Sequence, residues 1–510
     1  MGLIAGSVRP ALVRAAGIVA ALALTLGAPA VVAAHNLGTV YQSPLPLAVY
    51  LAGAATTVAL SFVFVLARDM RAAPTPPGRI VRVPAPLRIV LRAVGLIGWG
   101  WIVAQGIAGG TSEASVATLF LWVYGWVGVA MLSALLAPVW EWVDPFATMH
   151  DILAWALRRL GIRGWPASEL PPAIRLWPAV VGLMFFIWLE LVAVAGNGTL
   201  TVVLVGYTVL TLALMAQFGR DQWRAQGETF TVWFRTLNRL AIYGVVPAAE
   251  TAEARGVHPD DEDPDATDST VVVRRPFASG LLDATWEIPR VALVALATAS
   301  IIFDGLSQTV AFATVFGNPA LVQKTVILIV FLWAIAGVAL VVGRAVSWGA
   351  IGAGLTPIAV GYLVAHYLTY LLIDGQRLIV AASDPLQTGA DLIGTAFFTP
   401  VRFMPAGLVW TIQLAAVVGG HVIGAWAGHV TAQRDMARLA REKPPRDMRH
   451  RKIQGTTTRR VPNVRRREIP LAVVMVALTT LTLWSLGQSI VQEPAAAADQ
   501  RPIAAVPSAR

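Results

Sequence analysis

Four ionisable side chains stand inside apolar stretches of this chain: Glu190, Asp304, His366 and His421. A charged group in the centre of a bilayer costs about 3 kcal/mol on insertion scales, so such residues meet partners and mark proton, ion or substrate paths by default. Counted at about 1.5 Å of helical rise per residue from the expected outer end of each stretch, Glu190 lies roughly 9 Å deep. Asp304 and His366 fall at comparable depth, and Gln308, one turn beyond Asp304, and Gln413 reach the same level. Polar groups from four helices in one layer predict a shared cavity open to the outside. In it Glu190 and Asp304 would be anionic ligands or proton carriers, His366 the pH-sensitive or metal-binding partner, and His421 a relay deeper in the bundle. The same groups would serve equally as a structural polar network that staples helices together.

Two carboxylates near an imidazole can relay protons, bind a cation, or hold Zn or Cu. The metal reading takes His366 and Asp304, with His35 as a further ligand. If a leader is cut after Ala34, the amine and imidazole of His35 together make a copper-chelating pair. His421 and His429 share one helix in GGHVIGAWAGH, about 12 Å apart along its axis, too far to ligate one metal. Each could instead carry a haem b or line a path to the cytoplasm. Gly420, Gly424 and Gly428 recur every fourth residue beside them and offer a smooth face for close helix packing.

These residues need elements to hold them, and composition says which. The chain has 510 residues, is 56% hydrophobic and 13% charged, and has a mean hydropathy of +0.66. A soluble core of that size would need more charge to cover its surface, so the expected class is an all-α polytopic bundle of transmembrane helices. The net charge of +10 is concentrated in loops, which points to topology and lipid headgroups rather than nucleic acid. Cysteine is absent, so there is no disulfide, thiolate metal site or cysteine nucleophile.

An N-terminal charged and then apolar stretch, residues 1–34, reads as a signal peptide, or else as an uncleaved first helix. About ten spans of roughly 20 residues follow, near 45–67, 89–110, 116–138, 174–196, 199–218, 290–313, 322–343, 350–373, 406–430 and 469–489. Every second loop is basic: 68–88, 139–173, 219–289 and, most strongly, 431–468. That alternation puts the basic loops in the cytoplasm and both mature termini outside a bacterial inner membrane. The expected partners are the lipid bilayer and other membrane subunits, and not nucleic acid.

The organisation that follows is an N-terminal helical region (35–245), an acidic disordered cytoplasmic loop (246–287), a C-terminal helical region (288–430) with a long polar outer loop (374–405), a basic loop (431–468), a last helix (469–489) and a disordered outer tail (490–510). Two cytoplasmic segments, Phe146–Leu160 and Glu228–Tyr243, interleave aromatics with arginine at helical spacing. They predict helices that either lie on the inner interface or pack as a cap on the bundle. Loop 374–405 would form a re-entrant or lid element, or a solvated interfacial loop. Phosphate-loop, HExxH, GxSxG and GxGxxG signatures are absent.

Several segments together, AHNLGTVYQSPLPLAVYLAGAATTVALSFV (34–63), EWVDPFAT (141–148), FDGLSQT (303–309), AHYLTYLLIDGQ (365–376) and GGHVIGAWAGH (419–429), resemble a bacterial family of multi-pass membrane proteins whose members are often labelled fenitrothion hydrolase. The resemblance implies hydrolysis of an organophosphate ester, chemistry that generally uses a metal-activated water. Three functions therefore stand open: transport or handling of a small solute, proton or metal ion; a membrane-embedded metal-dependent hydrolase; and a haem-bearing electron-transfer subunit.

Overall fold

A computed structural model describes residues 56, 78–108, 115–162, 167–193, 195–248, 270–282 and 284–442, together with 470, 472–478, 480–481 and 484. His35, the leader, the tail 490–510, all but residue 56 of the span expected at 45–67 and about half of the one at 469–489 lie outside these residues, as does most of loop 431–468.

Eight described helices are long and apolar enough to cross a bilayer. In chain order, β1 (Arg79–Val81) precedes α1 (Ala85–Ala108) and α2 (Val116–Leu135), then the short α3 (Trp140–Val143) and α4 (Pro145–Arg159). There follow α5 (Pro172–Ala193), α6 (Asn197–Phe218), α7 (Arg220–Gln226) and α8 (Thr229–Asn238), and then β2 (Tyr243–Pro247) and β3 (Thr270–Arg274). The second half holds α9 (Ile288–Ser307), α10 (Val310–Phe316), α11 (Leu321–Ala345), α12 (Trp348–Ile373), α13 (Arg377–Ser383) and α14 (Ala406–Glu442).

Burial ranks these helices. Every residue of α9 from Val291 to Phe303 is buried, and so is every residue of α12 from Gly349 to Ala365. A helix apolar on all sides belongs at the centre of a bundle, and α12 packs there against α14, α9 and α2. The α12–α14 contact is backbone to backbone: a Cβ built on Gly424 would lie 2.4 Å from the Gly354 carbonyl oxygen, and one on Gly420 would lie 2.6 Å from that of Pro357. The peripheral helices turn large apolar side chains outward, among them Ile97, Ile107, Val202, Val322 and Val330. That surface, with the eight long apolar helices, is consistent with a membrane protein.

Helix ends follow local chemistry. Asp144 caps α4 by accepting from the Phe146 and Ala147 N–H groups at 2.9 and 3.1 Å, with Pro145 in the first turn. Glu228 does the same for α8 through Phe230 and Thr231. The two amphipathic segments take different roles. Of the α8 residues, only Phe230 and Arg235 are less than fully buried, so α8 is a cap packed on the bundle. In α4 only the first turn is buried, and Ile152, Leu153 and Trp155 stay exposed, as on an interface-lying helix.

Two features depart from the sequence expectation. The stretch 246–287 does not run as loop throughout: its start and a segment near its middle are strands. Central β3 pairs antiparallel with β1 (Ile80 opposite Val273) and with β2 (Val246 opposite Val271). The β-branched run Val271-Val272-Val273 suits a pleated surface, but three to five residues are too few for a legible period. Second, the span expected to reach residue 313 stops at Ser307. Thr309 starts α10, its hydroxyl accepting from the Phe312 N–H at 3.1 Å.

Candidate functional site

Because α9 ends at Ser307, Asp304 lies within one turn of a helix end rather than deep in the bundle. That end is opposite the basic loops. Asp304 Oδ2 is 2.9 Å from His366 Nε2 and accepts from the Tyr367 hydroxyl at 2.9 Å, while Oδ1 accepts from Gln308 Nε2 at 2.8 Å. The Asp304 and His366 side chains are 13% and 18% exposed, screened from bulk water but still reachable. Neighbouring positions 366 and 367 reach the same carboxylate oxygen because Asp304 sits in the angle between them; the two rings stand edge to face, 4.6 Å apart.

Glu190 joins this group electrostatically. It is close enough to interact with both Asp304 and Tyr367, and among the described residues no hydrogen bond reaches its carboxyl. It sits in a wide turn, because the last five residues of α5, Leu189–Ala193, are π-helical. A second π-helical stretch, Leu119–Val129 in α2, faces the same region. It carries Trp126, whose buried indole N–H lies toward Tyr367, and Tyr124, whose hydroxyl donates to the Gly375 carbonyl at 2.5 Å. Turns of this kind inside α-helices recur at functional sites, since they aim side chains that a regular helix would turn elsewhere.

Beyond this cluster a cavity of about 190 Å³ opens between α2 and the end of α12, lined by Thr118, Leu119, Val123, Tyr370, Asp374 and Arg377. Tyr370 bridges it to the cluster, its ring 6.4 Å from that of Tyr367. Arg377 Nε pairs with Asp374 Oδ1 at 3.1 Å on the rim. The outer loop is pinned rather than free. The Pro385 carbonyl accepts from Trp101 and Gln105, Gln376 and Val401 exchange two hydrogen bonds, and Ser383 donates to Asp391.

The remaining expected residues go elsewhere. Gln413 donates to the Ala365 carbonyl at 2.7 Å, which fixes α14 to α12 and does not enter the cluster. His421 is fully buried, with Nδ1 2.7 Å from the Val417 carbonyl and Nε2 3.3 Å from the Tyr362 hydroxyl. Tyr362 precedes His366 by one helical turn, so His421 lies below the cluster without touching it. His429 Nε2 meets Gln433.

Among the described residues the expected metal set is reduced to Asp304 and His366, since its third member, His35, lies outside them. Asp304 and His366 are two donors bonded to each other, and among the described residues no three of His, Asp and Glu gather to hold a metal ion. For haem b the Nε2 atoms of His366, His421 and His429 are each already engaged.

Tyr367 is the member of the cluster that the sequence reading passes over, since a tyrosine at helical spacing is usually core. A second buried polar group, at the basic-loop end, was equally hidden. Glu141 Oε1 accepts from Arg235 Nε at 2.5 Å and Oε2 from Arg224 NH2 at 3.0 Å, while Arg224 Nε donates to Asp144 Oδ2 at 3.0 Å. Burial alone would push the Glu141 carboxyl up, but the two guanidiniums hold it down at about 2. Burial, and after it the Asp144 charge, push Glu228 the other way, above its ordinary value; its carboxylate accepts from the Tyr207 hydroxyl at 2.5 Å. These residues lock α3, α4, α7 and α8 together.

No protein family, curated protein or solved structure matches this chain.

Proposed function

We propose that this chain is a multi-pass protein of a bacterial inner membrane that moves a small solute in exchange for, or together with, protons, through a cavity open at the outer face. The basic loops would lie in the cytoplasm, both termini outside, and the stretches 45–67 and 469–489 would bring the spans to about ten. The observation that carries the reading is the hydrogen-bonded Asp304–His366–Tyr367 cluster, with a second carboxyl, Glu190, beside it and a 190 Å³ cavity next to it, linked to the cluster through Tyr370. Intramembrane titratable groups that face a water-filled space and pair with one another are the usual carriers in proton-coupled translocation. A proton on His366 Nε2 points at Asp304 Oδ2, so the pair exchanges one proton over a single 2.9 Å contact. Among the described residues no hydrogen bond reaches the Glu190 carboxyl, so its charge would respond to a cation brought near it. A cationic group entering past Asp374 would displace its proton, which couples solute to proton.

Proteoliposomes loaded with a pH-sensitive dye test this. Under an imposed pH gradient the wild type acidifies the lumen, and Asp304→Asn slows the flux at least about tenfold, the scale of one lost general acid–base group. Equal flux in both proteins, or none in the wild type, overturns the proposal.

The hydrolase reading stands second. It draws on the resemblance above and on His366, an imidazole oriented by a carboxylate, as a general base on cavity water. Release of the phenol product from an organophosphate triester by the wild type, and its loss in His366→Ala, is the outcome that would promote it.

A further inference from the structure

At the basic-loop end, far from the outer cavity, three guanidiniums converge on the last turn of α8. Arg290 NH1 donates to the Thr236 hydroxyl at 2.8 Å, Arg275 NH2 to the Asn238 carbonyl at 2.8 Å, and Arg239 grows from that same turn. Arg239 is held in place from below: its guanidinium lies 4.5 Å from the centre of the Trp286 ring, and NH1 donates to the Thr285 carbonyl at 3.0 Å. Arg275 is fixed between Gly244 and Gly280, where an added Cβ would lie 2.2 and 2.3 Å from its guanidinium carbon. These are positioned charges and not solvated flexible ones.

Among the described residues neither Arg239 nor Arg290 has a carboxylate partner in an ion pair, and Glu287 is the one carboxylate that acts on Arg239 at longer range. Each guanidinium has five donors, and a single one is engaged on each of these two. Burial, followed by the neighbouring Arg290 and Arg275 charges, drives Arg239 well below its ordinary value. The apolar residues beside it are the second observation. Phe277 and Ile288, on either side of Trp286 in the chain, are 39% and 43% exposed, and Arg290 falls in the first turn of a helix long enough to cross a membrane. Charge and an exposed apolar side chain thus share the first turn of one helix.

We propose that Arg239, Arg290 and Arg275 bind the phosphodiester headgroup of an anionic phospholipid from the inner leaflet, with its acyl chains lying over Phe277 and Ile288. Planar guanidiniums match phosphate oxygens in pairs, and basic pockets between membrane helices on the cytoplasmic side hold such headgroups. An inorganic phosphate would satisfy the charge and leave the apolar residues uncovered.

The test uses full-length protein in a zwitterionic detergent. Native mass spectrometry counts bound phosphatidylglycerol against phosphatidylcholine, with inorganic phosphate as a separate competitor. The wild type should retain phosphatidylglycerol preferentially. Arg239→Gln should weaken retention about fivefold, the share of one basic residue near a membrane surface, while Arg82→Gln, an exposed arginine elsewhere on the same end, leaves it unchanged. Glu287→Gln is the variant that does not endanger folding, since its side chain is exposed and, at the N-cap position of α9, makes no capping hydrogen bond. It should tighten retention by a similar factor. Equal retention of both lipids, an unchanged Arg239→Gln, or displacement by inorganic phosphate at matched concentration each overturns the proposal.

Discussion

Replacing Glu141 by glutamine tests whether the buried charge network at the basic-loop end holds the bundle together. The wild-type carboxyl accepts from Arg235 and Arg224 and titrates at about 2 in place of its ordinary 4.5. A group held that low stabilises the folded state by about 3 kcal/mol once it is ionised in both states. The sign is that of a depressed carboxylate: the stabilisation is complete above the unfolded value near 4.5, shrinks as pH falls, and is gone below about 2. Glutamine keeps the shape and forfeits the charge, leaving Arg235 without its carboxylate while Asp144 still holds Arg224. The expected loss is therefore about 3 kcal/mol at pH 7, at the lower edge of what breaking a buried pair costs, and about 1.4 kcal/mol at pH 3. Unfolding in mixed micelles by stepwise addition of a denaturing detergent, at both pH values, measures it. A difference under about 1 kcal/mol at pH 7, typical of an exposed pair, or one that does not shrink with acid, would refute the reasoning.

Two further outcomes are expected from the same protein. Gly424→Ala forces a Cβ to within 2.4 Å of the Gly354 carbonyl oxygen, so α12 and α14 must separate; the expected loss is about 1–3 kcal/mol in the same detergent titration, and unchanged stability would show that the two backbones are not held in contact. Tyr367→Phe keeps the ring and removes one donor to Asp304; the expected loss of about 1.5–3 kcal/mol should be accompanied by a lower proton flux, and normal flux would take the hydroxyl out of the proton path.

The sequence made the helices legible because a run of roughly 20 apolar residues has few other uses. It also singled out Glu190, Asp304, Gln308 and His366, since a polar group in such a run stands out against its neighbours. What it could not supply was the partner of each. Gln413 and His421 lie in equally apolar surroundings, yet each bonds a main-chain carbonyl, a local solution that leaves no trace in residue type. Tyr367 was invisible for the converse reason, because tyrosine at helical spacing looks like core. The Glu141–Arg224–Arg235 network fell in segments read as loop or amphipathic helix, where charge is unremarkable. That two of those segments, α3 and α8, fold inward to bury it depends on contacts more than eighty residues apart in the chain. The three strands share this difficulty, each being too short to carry a period of its own.

The five π-helical residues at the end of α5 hold Glu190 with one residue of slack wound into a single turn. Were that slack passed along the helix, the side chains left behind would swing by about 100° and advance by about 1.5 Å, the step of one residue in a regular helix. The carboxyl now aimed at Asp304 would then point toward a different neighbour, with every main-chain hydrogen bond remade and nothing unfolded. The same turn thus holds both Glu190 and the spare residue that such a shift would use.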